Sequence, residues 1–287
     1  MNDGAVIPRP LPKPGDQAFV PGPKSLLLGA GGSGKSHSLR TVLEVPGTEV
    51  AAIFTEPSGL ETLEDTDPAR FHWVYVPPAA PDWAMLQNAA RTINTMSFKS
   101  LTEMGDIDKR KFGQWMDFVA ACGNFKCQRC GKELGPIDKM PINIVPAMDS
   151  LSGMNEMAMN LVTGLKPVKN PGDWGVAMSN LEKFITTLTT AVPGMVIMTG
   201  HLERETDEIS GGVTLMASTL GRKLAPKISR YFSDVIMTRR DGLKFEWSTG
   251  AFNVDLKARN LPIHDHLAPS FKPIIEKWYG RLGYKPQ

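Results

Sequence analysis

Eight residues near the start of the sequence combine four glycines, a lysine and two serines in a spacing that suits phosphate chemistry. They fit the pattern G-x-x-x-x-G-K-[ST] and are Gly29, Ala30, Gly31, Gly32, Ser33, Gly34, Lys35 and Ser36. Glycines let the backbone turn tightly and aim its N–H groups at phosphate oxygens, while the lysine can neutralise β- and γ-phosphates. Because the Ser36 hydroxyl can ligate Mg²⁺, the stretch through His37 predicts a nucleotide-binding P-loop. The alternative is a glycine-rich turn that matches the pattern by accident.

Two carboxylates are predicted to follow strands of a parallel sheet. Residues 49–54 are largely apolar and lead to Glu56, and residues 142–148 are largely apolar and lead to Asp149. Since the carboxyl ends of parallel strands share one edge of a sheet, both side chains should lie near the P-loop. Glu56 could polarise the water that attacks the γ-phosphate, and Asp149 could hold Mg²⁺ opposite the P-loop hydroxyl. The alternatives are a solvated loop glutamate and a chance apolar-Asp pattern, and Pro146 predicts a bulge in the second strand.

A histidine ends a third apolar stretch. Residues 195–200 are predicted to form a buried strand, and His201 follows it directly. At the carboxyl end of a strand beside the P-loop, this imidazole could sense the γ-phosphate. The alternative is a loop histidine that has no role.

A pair of cations lies late in the sequence. Residues 253–259 are predicted to form a strand, and alternation places Lys257 and Arg259 on the same face of it. Two cations that point the same way from an edge element need a partner. The alternative is that both are solvated, because lysine is common on edge strands.

Three cysteines, Cys122, Cys127 and Cys130, have the spacing C-x4-C-x2-C. The last two resemble half of a zinc ribbon, because a knuckle turn can present two thiolates to one tetrahedral ion. A closed Zn²⁺ site needs a fourth ligand, for which Asp138, His72 or another chain is a candidate. The alternative is an insertion whose thiols are reduced and inert.

The elements that must position these residues follow from the apolar periodicity. Further strands are predicted at residues 24–28 and 71–76, and a polar loop at 202–221. Helices are predicted at residues 35–44, 82–96, 174–191 and 270–280. A hairpin is predicted from residues 232–239 and 243–249, because Asp241-Gly242 favours a tight turn. The predicted fold is α/β, a doubly wound, mostly parallel sheet with an antiparallel C-terminal hairpin and a cysteine-containing insertion at about residues 97–141.

Composition limits the function classes. The 287 residues are 41% hydrophobic, which is enough for one large domain at residues 24–287. Prolines mark residues 1–23 as an extended arm, either a tail or an arm that docks on a neighbouring subunit. The formal net charge of +2 does not by itself indicate that the protein binds nucleic acid. No apolar run approaches the roughly 20 residues that span a bilayer, so we expect a cytoplasmic, reduced protein without membrane contact.

The order of these motifs resembles the RecA-like ATPase core, over about residues 24–262. It is most similar to the phage-encoded AAA/RecA-like ATPases that include single-strand annealing recombinases. The resemblance implies Mg²⁺-dependent ATP hydrolysis, in which Glu56 activates water, Asp149 holds Mg²⁺ and His201 senses the γ-phosphate. It implies a use in recombination, replication or repair of phage DNA, on single-stranded DNA in the host cytoplasm.

The same resemblance implies that Lys257 and Arg259 act on the nucleotide of a neighbouring subunit. ATP would then lie at the subunit interfaces of a homo-oligomer. Two features depart from that family. One is the cysteine insertion, and the other is an acidic stretch where related proteins place DNA-binding loops, formed by Glu203, Glu205, Asp207 and Glu208.

Two other function classes stay open at this point. One is an ATP-gated assembly protein in which the nucleotide sets the oligomeric state and DNA is not bound. The other is a small-molecule kinase. The strand with Lys257 and Arg259 disfavours the kinase, because kinases usually close a lid of their own over the site.

Overall fold

The computed structural model describes most of the chain. The described residues are 13–16, 19–78, 83–105, 112–164, 166–206, 212–221, 223–251 and 253–284. Much of the predicted Pro-rich arm lies outside the described residues, as do Asp207 and Glu208 of the acidic stretch. Within the described ranges, no helix is both long enough and apolar enough to span a bilayer.

The strands of the described residues form one eight-stranded sheet and two separate two-stranded ribbons. In chain order they are β1 (Lys24–Gly29), β2 (Glu49–Phe54), β3 (Phe71–Tyr75), β4 (Phe125–Lys126), β5 (Glu133–Gly135), β6 (Ile144–Asp149), β7 (Val196–Gly200), β8 (Leu202–Thr206), β9 (Val213–Ala217), β10 (Asp234–Asp241), β11 (Lys244–Ser248) and β12 (Lys257–Ala258). The ribbons are β4–β5 and β8–β9.

The central sheet has the strand order β11-β10-β1-β7-β6-β2-β3, and β12 pairs with β10 off this path. Every pair from β10 to β3 is parallel, whereas β11 and β12 are antiparallel to β10. The predicted mostly parallel sheet with an antiparallel C-terminal hairpin is therefore confirmed. Because β1, β7, β6 and β2 are parallel neighbours, their carboxyl ends lie at one edge of the sheet.

Helices cover both faces of this sheet, because side chains alternate along the buried strands. Leu26 and Leu28 point into one hydrophobic core, and Leu27 points into the other. The α-helices of the described residues are α1 (Lys35–Ser38), α2 (Ser58–Leu63), α3 (Trp83–Thr95), α4 (Phe98–Glu103), α5 (Gln114–Gly123), α6 (Leu151–Thr163), α7 (Pro171–Ala191), α8 (Ala225–Ile228) and α9 (Lys272–Arg281). The first core contains residues of α5, α6 and α7, and the second contains residues of α9.

The predicted polar loop at residues 202–221 is wrong, because it contains the ribbon β8–β9. Glu203 pairs with Met216, and Arg204 pairs with Leu215. Both Glu203 and Arg204 are exposed. The ribbon is not hydrogen-bonded to the central sheet and most of its residues are exposed or partly exposed, so it lacks the regular apolar alternation that reveals a strand in sequence.

Three other elements differ in detail from the prediction. The helix after the P-loop is the short α1 followed by a 3₁₀-helix at Leu39–Glu44. The last strand is limited to β12, and Asn253 adopts a left-handed φ of 59° where the strand was predicted to begin. The bulge expected at Pro146 is absent from the pairing of β6 with β2, whose register is continuous. The ladder between β6 and β7 starts at Ala147, one residue after the proline.

Candidate active site

The loop between β1 and α1 needs glycine at two positions for its backbone conformation. Gly32 has a backbone φ of 70° and Gly34 a φ of 88°, and residues that carry a Cβ rarely adopt such values. At Gly34 the space is also taken, since an added Cβ would lie 2.9 Å from the ring of Phe245. The sequence pattern of the P-loop therefore matches a physical requirement of this turn.

Lys35 lies folded against the loop that precedes it. Its Nζ donates to the carbonyl oxygens of Gly29 and Ala30, at 3.0 and 2.8 Å. Burial lowers the pKa of Lys35, and the nearby carboxylates of Asp149 and Glu56 oppose this shift. The ammonium is thus held at the base of the loop, close to two acidic groups, where an arriving phosphate could replace the carbonyls as its partner.

Asp149 at the end of β6 is joined to two hydroxyl groups. Ser36 Oγ donates to Asp149 Oδ2 at 2.7 Å, and Thr199 of β7 donates to Oδ1. Burial raises the pKa of Asp149, although the hydrogen bonds from Thr199 and Ser36 oppose this shift. A buried carboxylate next to a serine hydroxyl is an oxygen-rich donor set of the kind that Mg²⁺ prefers. These residues fit the predicted Mg²⁺ site.

Glu56 follows β2 and faces the same edge of the sheet. Ser150 Oγ donates to Glu56 Oε1 at 2.8 Å, so the residue after Asp149 holds the carboxylate. Thr55 supports this corner because its Oγ1 accepts from the Ser150 N–H at 3.0 Å. The peptide bond between Asp149 and Ser150 is cis. Ser150 binds only the Oε1 oxygen of the Glu56 carboxylate. The glutamate side chain is partly exposed to the cleft.

His201 follows β7 and is half-buried at the same edge. Its Nδ1 shares a hydrogen bond of 2.8 Å with Ser152 Oγ of α6. Burial and the positive charge of Lys35 lower the pKa of His201, which favours the neutral imidazole. A neutral ring can donate a hydrogen bond to a phosphate without adding a positive charge.

One cleft of about 530 Å³ brings most of the predicted site residues together. Its walls include Gly31 to His37, Glu56, Asp149 and His201. Gly29 and Ala30 do not line the cleft but supply the carbonyls that hold Lys35. The residues that sequence reasoning missed are Ser38, Ser58, Thr62, Ser150, Phe245 and Pro269.

Phe245 is the most informative of the missed residues. It lies in β11, opposite Arg240 of β10, and the Arg240 guanidinium stacks 5.4 Å from the ring centroid. Alternation places Phe245 on the same face of β11 as the fully buried Trp247, but it gives no signal that this face lies beside the P-loop. An aromatic ring beside the P-loop gives the cleft an apolar wall on which a nucleobase could stack.

Lys257 and Arg259 lie away from the cleft of their own chain. Lys257 pairs with Val235 near the amino end of β10, whereas the P-loop begins beside Thr238. Lys257 Nζ donates to the Phe232 carbonyl at 2.8 Å, and the Arg259 side chain is exposed. The structure does not bring these cations to the P-loop, and their action on a neighbouring subunit stays a prediction.

The cysteines are arranged differently from the predicted set of three. Cys127 and Cys130 lie with His72, and one ligand atom from each residue is within 4.8 Å of the others. Cys122 is not in this group and lies in the hydrophobic core, where burial raises its pKa to about 12. The predicted set of three cysteines is therefore wrong for Cys122. The third residue of the group is His72, which the sequence offered as one of several candidates for the fourth ligand.

Comparison with known proteins identifies no family. No protein-family model matches the sequence, and no curated protein matches it. An ATPase from the type III secretion system of pathogenic bacteria is similar in structure, with a TM-score of 0.39, 12% identity, and coverage of 77% of this chain and 52% of that one. The RadB recombinase has a TM-score of 0.39 and 12% identity, over 82% of this chain and 84% of that one. EscN, the secretion ATPase of enteropathogenic E. coli, has a TM-score of 0.40 and 14% identity, over 76% and 43%.

The chain thus spans about half the length of the two secretion ATPases. Similarity at these TM-scores and identities identifies neither an activity nor a partner. The α/β fold is established by the strand order and pairing of this chain. The candidate site is defined by the residues that line its cleft.

Proposed function

We propose that the protein binds ATP with Mg²⁺ in the cleft after β1 and hydrolyses it. The observation that supports this most is the convergence of Lys35, the Ser36–Asp149 pair and Glu56 on one cleft of about 530 Å³. These groups come from three separate strand ends, so a simple glycine-rich turn does not account for them. They supply a phosphate-binding cation, a metal-binding pair and a base, which are groups that phosphoryl transfer to water uses.

Each residue has a role that its contacts support. Lys35 exchanges the carbonyls of Gly29 and Ala30 for phosphate oxygens, which are better partners because they are charged. Ser36 and Asp149 would hold Mg²⁺, which would supply positive charge to balance that of the phosphates. Binding the cation also relieves the cost of the buried Asp149 carboxylate.

Glu56 orients the attacking water and accepts its proton. The hydrogen bond from Ser150 fixes Oε1, which leaves the other oxygen of Glu56 for water in the cleft. His201 donates to the γ-phosphate as a neutral ring, and Ser152 sets the ring orientation. Phe245 provides the apolar wall for the base.

We further propose that the active form is a homo-oligomer in which Lys257 and Arg259 serve a neighbouring cleft. Lys257 lies nearer the amino end of β10 than the P-loop does, so a role for this pair in hydrolysis requires the nucleotide of another subunit. Arg259 is exposed and can contact such a partner. The motif order, in turn, supports the finer proposal of a role in phage DNA recombination, replication or repair on single-stranded DNA.

Phosphate release from ATP by the purified protein tests these proposals together. We expect release with Mg²⁺, none when EDTA removes the metal, and a several-fold rise when single-stranded DNA is added. A rate that does not respond to DNA contradicts the DNA role and favours an ATP-gated assembly protein. Release that persists in EDTA contradicts the metal role of Ser36 and Asp149.

A further inference from the structure

The group of His72, Cys127 and Cys130 has the spacing of ligands around one metal ion. Cys130 Sγ lies 3.3 Å from His72 Nδ1, and all three ligand atoms are within 4.8 Å of one another. A tetrahedral Zn²⁺ holds sulfur at about 2.3 Å and nitrogen at about 2.0 Å, which separates neighbouring ligand atoms by roughly 3.5–3.8 Å. Small side-chain movements would therefore bring the three ligand atoms to the distances found around a bound Zn²⁺.

The turn from Cys127 to Gly131 presents both sulfurs to the same point. The Cys130 N–H donates to Cys127 Sγ at 3.5 Å, and the Gly131 N–H donates to the Cys127 carbonyl at 3.0 Å. Gly131 has a φ of 76°, so glycine is required where the turn closes. This turn therefore holds the sulfurs of Cys127 and Cys130 close to each other and to the His72 ring.

His72 is oriented as a metal ligand rather than as a packed ring alone. It is fully buried on β3, and its Nε2 is 3.0 Å from Glu49 Oε2. Lys132 contacts the same Glu49 oxygen at 2.7 Å. With Nε2–H donating to a carboxylate, the lone pair of Nδ1 faces the two sulfurs, an arrangement typical of histidines that bind zinc. The insertion supplies Lys132, so it also helps to fix this outer carboxylate.

The turn is anchored to the free edge of the central sheet. Gln128 N–H donates to the Trp73 carbonyl at 2.9 Å. The Gln128 side chain accepts from the Tyr75 N–H at 2.8 Å and donates to the Tyr75 carbonyl at 3.1 Å. These contacts cover backbone groups of β3, the last strand in the sheet order, which would otherwise be open to another chain. The position of the two cysteines next to His72 is thus fixed by several bonds.

We propose that His72, Cys127 and Cys130 bind one Zn²⁺, which fastens the insertion to the free edge of the sheet. Two thiolates and an imidazole select zinc over the harder Mg²⁺ used in the nucleotide cleft. Binding displaces the thiol protons, and a water completes the four ligands of a tetrahedral ion. Cys122 is not a ligand. The site lies on the outer strand of the sheet and is independent of the proposed ATPase activity.

Zinc content of the protein, purified under reducing conditions without chelators, is the first test. We expect about one Zn²⁺ per chain in the wild type and in Cys122→Ala, and close to none in Cys130→Ser. Cys130 is exposed, so its substitution by serine leaves the core intact. Absence of zinc from the wild type, even after incubation with zinc and dialysis, overturns the proposal. Equal loss of zinc in Cys122→Ala overturns the ligand set.

Melting temperatures with and without a chelator distinguish zinc bound at this site from zinc bound adventitiously elsewhere on the protein. Chelation should lower the melting temperature of the wild type and of Cys122→Ala, but not that of Cys130→Ser, because metal binding contributes to folding. Co²⁺ in place of zinc should give thiolate charge-transfer absorption that is lost in Cys130→Ser. Glu49→Gln should weaken zinc binding by about 10- to 100-fold, because it removes the carboxylate that orients His72. Identical melting of all variants with and without chelator contradicts the proposed role.

Discussion

Ser36 Oγ donates a hydrogen bond of 2.7 Å to Asp149 Oδ2, across 113 positions of sequence. The bond joins the first turn after the P-loop to the end of β6, and it does so although β7 lies between the two strands. Thr199 at the end of β7 binds the other Asp149 oxygen, so three strand ends share one carboxylate. This arrangement keeps a buried charge at the point where a divalent cation would bind.

Asp149→Asn should make the ligand-free protein more stable while it abolishes Mg²⁺-dependent hydrolysis. Burial raises the pKa of Asp149, so the native state keeps this proton to a higher pH than the unfolded chain does. Protonated Asp149 therefore contributes its full stabilisation below the pKa that this residue has in the unfolded chain. That stabilisation is lost as the pH rises through the pKa of Asp149 in the native state. The asparagine variant should lack that loss and melt higher than the wild type at neutral pH.

Melting temperatures measured from about pH 4 to about pH 8 test this prediction. The wild type should lose more stability than Asp149→Asn over that range, and Mg²⁺ with ATP should raise the melting temperature of the wild type only. Thr199→Val is a control that removes one hydroxyl and keeps the carboxylate. The same pH slope in the wild type and in Asp149→Asn would contradict the role of the buried charge.

Glu56→Gln should bind ATP normally and hydrolyse it about 10²- to 10⁴-fold more slowly, because the amide cannot accept a proton from water. Glu61→Gln is a matched control, since Glu61 is an exposed residue of the helix that follows. Single-turnover hydrolysis, measured beside equilibrium binding of the nucleotide, separates the two effects. Normal turnover in Glu56→Gln would show that another group activates the water.

Gly34→Ala should destabilise the protein by about 1–2 kcal/mol, because the left-handed conformation is costly for alanine. Contact with Phe245 would add to that cost, since the new Cβ would lie 2.9 Å from the ring. Gly31→Ala should stay within about 0.5 kcal/mol of the wild type, because no atom lies within 4 Å of its added Cβ. Denaturant unfolding of both variants measures the difference. Equal stability of the two would mean that Gly34 is not constrained as described.

Arg259→Ala should bind ATP but hydrolyse it poorly, because a guanidinium supplied from outside the loop can contribute about 10³- to 10⁵-fold in rate. Mixing Arg259→Ala with Glu56→Gln should restore part of the activity, since some interfaces would pair an intact Glu56 with an intact Arg259. Arg281→Ala, a change at an exposed arginine of α9, is the control. No activity above that of the separate variants, despite demonstrated co-assembly, would rule out action on a neighbour.

Much of the site was predictable because it depends on local patterns. An apolar stretch followed by a polar residue marks the carboxyl end of a buried strand, and this rule located Glu56, Asp149 and His201. The hairpin of β10 and β11 followed from Asp241-Gly242, and Gly242 has a positive φ of 56°.

The remainder depends on contacts that sequence patterns do not encode. The ribbon β8–β9 contains only one buried residue, Ala217, so it carries no clear apolar alternation. Phe245 reaches the P-loop because β10 lies beside β1, which is a property of strand order. His72 meets Cys130 across 58 positions, and no spacing rule separates it from the other candidate ligands.

Phosphate release from ATP by the wild type and by Lys35→Ala, measured side by side with Mg²⁺, tests the ATPase site most directly. Loss of one charged hydrogen-bonding group should weaken ATP binding by about 10- to 100-fold, and turnover should fall to background. Lys272→Ala, a change at an exposed lysine of α9, should match the wild type. Near-normal turnover in Lys35→Ala would contradict the assignment of the cleft as an ATPase site.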